Sequence, residues 1–223
     1  MKTLTEYVYD YAHDYVNNYI DEAFRINKDT KVDKYNYHPK TKKELRELIK
    51  QLIDERGNDA SLNDIDVSEI TDMSDLFIGI GICNIDISEW DVSNVENMNG
   101  MFFQCTDFNS NISNWDVSNV KDTGGMFFDC KKFNSDVSKW DVSNVTTMNS
   151  MFYNCHNFNS DLSKWNVNNV TNMVYMFENC KKFNCDLSNW DVNKVKEMNS
   201  MFLGCRSLQN KPSWYNKYNL YEI

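Results

Sequence analysis

Carboxylates stand at fixed intervals along this chain. Asp86, Asp136, Asp161 and Asp186 share one position of a 25-residue unit, and Asp91, Asp116, Asp141 and Asp191 share another. Carboxylates stacked this closely repel one another, and two chemistries would resolve that. Calcium held between successive units would draw oxygen ligands from the columns. Alternatively, each side chain accepts hydrogen bonds from its own turn, as in an Asx-turn, helped by Ser88, Ser113, Ser138, Ser163 and Ser188. Asn111 and Asn166 each replace an Asp, keeping the acceptor oxygen and discarding the charge, which favours the turn. Asn84, Asn109, Asn134, Asn159 and Asn184 form a further column, a potential ladder of side-chain amides satisfying backbone groups at the turns. Five of the seven cysteines, Cys105, Cys130, Cys155, Cys180 and Cys205, also share one repeat position, with Cys83 and Cys185 off it. Side chains stacked in parallel aim the same way, so these are expected as buried reduced thiols that pack as small hydrophobes. Cys185 stands where other units carry Ser110, Ser135 and Ser160, and is expected to be exposed.

No catalytic constellation accompanies these columns. His13, His38 and His156 are the three histidines, and no zinc spacing, phosphate-binding glycine loop or nucleophile elbow occurs. The abundance of Asp and Glu leaves a glycosidase-like carboxylate pair open on composition, but a repeating surface with no singular insertion argues against one. The expectation is a protein that is not an enzyme and uses no cofactor or metal. A net charge of −10 and a pI of about 4.8 give a field that repels phosphate backbones and anionic lipids. Nucleic acid and membrane surfaces are therefore not expected as partners. No apolar run approaches the roughly 18 residues of a membrane span, and the first residues lack a signal-peptide pattern. On the residues alone the expected location is cytoplasmic.

The least repetitive stripe is the candidate binding site. Phe103, Phe128, Tyr153, Glu178 and Leu203 occupy one column, flanked by Lys131, Lys132, His156, Lys181 and Lys182. Positions that differ between units are usually solvent-facing, and three neighbouring aromatics there would anchor a protein partner. The competing reading has the rings partly covering the turn beneath them.

What positions these columns is the repeat itself. Trp90, Trp115, Trp140, Trp165 and Trp190 recur at the same 25-residue interval as the cysteines. A fixed period of this length implies units that bury their apolar faces only by stacking on neighbours. Within one unit, Val145–Met148 and Phe158–Ser163 are strand candidates, joined by a single helical or 3₁₀ turn over Met151–Cys155. Thr41 and Glu44 form a capping box ahead of the apolar stripe Leu45, Leu48, Ile49, Leu52 and Ile53. Four segments are expected: an amphipathic helix and connector over 1–38, a capping helix over 39–61, repeats over 62–205, and an aromatic cap over 206–223. The expected fold is an α/β repeat, a leucine-rich-repeat-like solenoid of short parallel strands and single helical turns with an N-terminal helical cap.

The unit in residues 151–170, Met-Phe-x-x-Cys-x-x-Phe-Asn-x-Asp-Leu-Ser-x-Trp-Asp-Val-Ser-Asn-Val with Asn166 and Asn168 departing, resembles the repeat of BspA-like leucine-rich-repeat proteins of mycoplasma lipoprotein type. The resemblance implies a surface protein that binds host or matrix proteins, and carries no catalytic residues over. The leading expectation is a non-catalytic protein-protein interaction module, adhesin-like or effector- and inhibitor-like, with a partner of unknown identity. The alternatives are a structural protein that self-associates through residues 1–38 and a glycan-binding protein.

Overall fold

A computed structural model of the protein describes residues 34–80 and 84–218. The chain divides between residues 34 and 35, and the repeats lie wholly in the second unit, Tyr35–Ile223. Residues 1–33 of the expected helix-and-connector segment, the self-association expected through it, Cys83 and the tail residues Leu220, Tyr221 and Ile223 all lie outside the described residues.

Thr41 opens the first described helix, α1 (Lys42–Arg56), its hydroxyl accepting from the Glu44 amide at 3.2 Å. Glu44 reaches back to the Lys40 amide at 2.8 Å. Leu45, Ile49, Leu52 and Ile53 are buried, and Gly57 ends the helix at φ 88°, where a side chain would be strained. Just before α1, Tyr37 pairs with Ile65 in a parallel bridge, so the end of the expected connector is built onto the first coil.

The coils stack in register, but they do not form a sheet. One isolated parallel bridge per coil links Asp72, Asn97, Asp122, Thr147, Asn172 and Glu197 in succession. Neither Val145–Met148 nor Phe158–Ser163 is a strand, and Met151–Cys155 is a run of turns. The expected α/β solenoid of parallel strands is therefore wrong. Two physical reasons account for it. Each coil carries two residues in the left-handed region, such as Ser150 (φ 55°) and Asn154 (φ 58°), and these bend the chain before a strand can propagate. Amides also alternate in direction. Ser150, Phe152 and Asn154 donate to carbonyls of the next coil at 2.8–2.9 Å, while Met151, Tyr153 and Cys155 donate three residues back within their own coil at 3.0–3.2 Å. Elsewhere in the coil, Asp, Asn and Ser side chains take the amides a ladder would need.

Because the first set of amides all point toward the next coil, the first coil should be left with orphan carbonyls. Arg46 of α1 supplies missing donors: its guanidinium bonds the carbonyls of Leu76 and Ile78, and it also reaches the Asp75 carbonyl at 2.9 Å, which already accepts the Ile78 amide. Lys42 reaches Asp72 and Ser74 at 2.7 Å each. Arg46→Met keeps the stem and removes the fork, and should destabilise the protein by about 1–3 kcal/mol. A thermal midpoint unchanged by Arg46→Met would show that solvent already serves those carbonyls.

Inside the stack, each tryptophan donates its indole N–H to a carbonyl of the previous coil, as Trp140 does to Ile112 at 3.1 Å and Trp165 to Val137 at 3.0 Å. A second described helix, α2 (Ser213–Tyr218), follows the last coil. Trp214 extends the column, donating to Leu187 at 2.9 Å and stacking on Trp190 at 6.4 Å, and Tyr215 is buried edge-on to Phe202 at 4.9 Å.

Equivalent rings in successive coils measure the local step of the stack. The step is 4.4–4.5 Å along Phe103, Phe128 and Tyr153. It is 5.1–5.8 Å along the core column from Phe77 to Phe202, and 5.8–6.1 Å along Phe108, Phe133, Phe158 and Phe183. The coils therefore fan open away from the first column, which places it on the inner side of the bend.

Candidate binding surface

Most of the repeating polar groups are consumed by the coils. Asp136 and Asp161 accept from the Ser138 and Ser163 amides at 2.9 and 3.0 Å, and Asp116 and Asp141 from the Ser118 and Ser143 amides at 3.0 Å. Asn111 and Asn166 hold the same turn without charge, accepting from Ser113 and Asn168 at 3.1 and 3.2 Å. The columns are stacked Asx-turns. Among the described residues no group of three or more His, Cys, Asp or Glu is arranged to hold a metal ion. In the amide column, each Asn oxygen accepts from the next coil's backbone: Asn109 from Asn134 at 2.7 Å, Asn134 from Asn159 and Asn159 from Asn184 at 2.9 Å. A second amide column, Asn94, Asn119, Asn144 and Asn169, donates to the serine carbonyls of the preceding coil at 2.7–2.9 Å; the sequence reading missed it although it recurs in Ser-Asn-Val.

The thiols of Cys130, Cys155, Cys180 and Cys205 each contact a phenylalanine carbonyl of the preceding coil at 2.9–3.0 Å. Cys185 departs from expectation. It is half-buried, and its sulfur accepts the Leu162 amide at 3.2 Å, as the hydroxyls of Ser135 and Ser160 accept the Ile112 and Val137 amides at 3.1 Å. The position is an acceptor for the neighbouring coil, and burial pushes its thiol up to about 11.

The turn geometry also sets a pH response. Serine amides hold Asp136 and Asp161 below the usual carboxylate range, and serine hydroxyls do the same for Asp116 and Asp186. At the N-terminal end, a two-pronged bond from Arg56, 2.9 Å on each arm, holds Asp64 down at about 2. A carboxyl depressed by folding contributes stability that is present above its unfolded value, near pH 4, and is lost as pH falls through the folded value. The urea midpoint should hold from about pH 7 to 5 and fall steeply below about pH 4. Asp64→Asn should remove about 1 kcal/mol at neutral pH, after allowance for its partial exposure, and flatten that fall. A midpoint level down to about pH 2.5 would contradict this reading.

With these groups occupied, the variable stripe is what faces outward on the inner side of the bend. Phe103, Phe128, Tyr153 and Glu178 are half-buried, and Leu203 is 51% exposed. Phe103 and Phe128 lie nearly parallel at 4.5 Å, and Phe128 and Tyr153 at 4.4 Å. Their faces cover one another, so the ladder presents ring edges. Tyr175, which the sequence reading missed, stands edge-on to Tyr153 at 6.5 Å and is 44% exposed. Its column otherwise holds Asp75, Gly100, Gly125, Ser150 and Ser200, all at positive φ, and Tyr175 adopts φ 59°. A bulky residue in that region is a steric outlier, and such outliers cluster at ligand clamps. An aromatic among small residues at one repeat position was the available signal.

Beside the ladder runs a strip of cations. Lys131 pairs with Asp129 at 3.6 Å and Lys132 with Asp107 at 2.6 Å. His156 lies next along, its imidazole held below the usual value by burial and by Lys181 and Lys131 on either side. Lys181, Lys182 and Arg206 make no ion pair among the described residues. The predicted basic residues thus follow the aromatic column by three or four positions in their coils, and within this strip the ion pairs to carboxylates are confined to Lys131 and Lys132 among the described residues.

The family model described as "Mycoplasma protein of unknown function, DUF285" matches residues 43–152 and again 132–222. The chain belongs to this family. Together the two DUF285 matches run from α1 through the coils to α2, so the family signature covers the stack and both of its described ends. No curated protein and no solved structure matches the chain. Within the DUF285 region, no described helix is long and apolar enough to cross a membrane.

Proposed function

We propose that this DUF285 chain is a non-catalytic protein-binding module whose partner docks on the inner aromatic ladder. The observation that carries the reading is the ladder itself: three rings stacked at 4.4–4.5 Å with Tyr175 standing against the last of them, on the side toward which the coils close. Inner surfaces of curved repeat arrays offer extended contact to a partner, and aromatic anchors carry much of the energy of protein interfaces. A sugar would need an open ring face. Here Phe128 has rings stacked on both faces and Phe103 and Tyr153 on one face each, which weighs against the glycan-binding alternative. The likeness of the 25-residue unit to BspA-like repeats supports a cell-surface, adhesin-like setting.

The test is affinity capture from cell extract and from surface-protein fractions, comparing the intact chain with a Phe103→Ser, Phe128→Ser, Tyr153→Ser, Tyr175→Ser variant shown to be folded. A partner should be retained at least about tenfold better by the intact chain, as expected when anchors worth about 1.4 kcal/mol or more are removed. Equal retention of every captured protein would defeat the assignment of the ladder.

A further inference from the structure

Two features meet at the C-terminal end of the ladder. The first is Tyr175, an exposed aromatic held at φ 59° in a column of Asp, Gly and Ser. The turn holds that conformation in every coil, with the Tyr175 amide donating to the Asn199 carbonyl at 3.0 Å, and among the described residues the ring neighbour of Tyr175 is Tyr153, at 6.5 Å. The second is charge. Along the basic strip each cation of the earlier coils has a carboxylate: Lys131 has Asp129 and Lys132 has Asp107. In the last coils that pairing stops. Lys181, Lys182 and Arg206 stand without an ion pair among the described residues, three or four positions past the aromatic column in their coils, on a protein whose net charge is −10. Such a chain is not short of carboxylates. Three cations without a carboxylate partner follow the aromatic column in the last two coils, where the charges that act on Tyr153 itself are the carboxylates Glu178 and Asp129.

We infer that the partner presents an acidic segment of polypeptide: its carboxylates meet Lys181, Lys182 and Arg206, while an apolar side chain of the segment seats against Tyr153, Tyr175 and Leu203. This rests on the protein-binding reading and deepens it. Like-signed patches repel and complementary ones steer encounter, so an acidic segment is repelled by this acidic protein as a whole and is held where it can pair with these three cations. Glu178, between Tyr153 and Leu203 in the column, is already engaged within the protein. The strain at Tyr175 then has a role. Its left-handed backbone projects the ring out of the turn, where Ser150 and Ser200 project nothing comparable.

The experiment selects random 12-residue peptides displayed on phage against the full chain, in parallel with a Tyr153→Ser, Tyr175→Ser, Leu203→Ser variant. Peptides retained only by the intact chain should be enriched in Asp and Glu around an aromatic or aliphatic residue. A synthetic peptide of the enriched sequence should lose about tenfold or more in affinity for a Lys181→Ser, Lys182→Ser, Arg206→Ser variant with an unchanged melting curve, and should weaken as salt is raised. Tyr175→Asn, which suits the left-handed region, should weaken the same peptide while leaving the protein at least as stable. Enriched peptides without an acidic bias, or an acidic peptide held equally by the charge variant, would overturn the acidic partner and leave the protein-binding reading standing. No difference between the intact chain and the ladder variant would overturn both.

Discussion

Phe152→Ala should lower the thermal midpoint by about 10–15 °C, corresponding to a loss of about 3–5 kcal/mol. Phe152 is fully buried and contacts five rings: Phe127 and Phe177 at 5.6 Å, Phe158 at 4.0 Å, and Phe133 and Trp165 at 6.3 Å. Truncation removes both the transfer energy of the side chain and the stacking on each side. Position in the stack amplifies the effect. Coils contact only their neighbours, so a cavity in a middle coil weakens two interfaces and lets the halves melt apart. Phe202 in the last coil has one coil neighbour, Phe177, and beyond it Trp214 and Tyr215. Phe202→Ala should therefore cost clearly less and leave the transition sharp. Calorimetry on both variants separates the cases, and equal losses at the two positions would contradict nearest-neighbour stability.

The cysteine column should resist thiol reagents by about two orders of magnitude or more at pH 8. Burial raises Cys155 and Cys180 well above the ordinary thiol value, and brings Cys205 to about 12 and Cys185 to about 11. A thiol at about 11 is ionised to roughly one part in a thousand at pH 8, against roughly a tenth for an ordinary one, and thiolate is the reactive form. The sulfurs of Cys105, Cys130, Cys155 and Cys180 are in addition closed off within the coils, while Cys205 at the end of the column is half-buried. In denaturant all seven cysteines should react at the free rate. The two predictions meet in one measurement: Phe152→Ala should speed labelling of Cys130, Cys155 and Cys180 more than that of Cys105, because opening spreads from the damaged coil. Fast native labelling of Cys155 in the unsubstituted protein would contradict its closure.

The 25-residue period, read from the Trp and Cys columns alone, determined that the chain is a stack, where its coils begin, and which side chains fill the core. Trp140, Cys155 and Phe158 could be assigned to the interior because a residue type repeated at one position must meet the same surroundings in every coil. The Asx-turns of Asp136 and Asp161 were legible for a similar reason: the acceptor and its Ser amide are two residues apart, so the bond is local. The secondary structure of the coils was not legible. Apolar spacing around Val145 and Phe158 suits a strand, but positive φ at Ser150 and Asn154 and the alternating direction of the amides depend on where the next coil's carbonyls lie. For the candidate site, Phe103, Phe128 and Tyr153 were found as a column because they vary. That their faces are stacked, that the coils close toward them, that Tyr175 joins them from a different column, and that Arg46 serves the carbonyls of the first coil were decided by the tertiary structure. Each of these is a relation between residues about 25 or 30 positions apart, set by how one coil sits on the next.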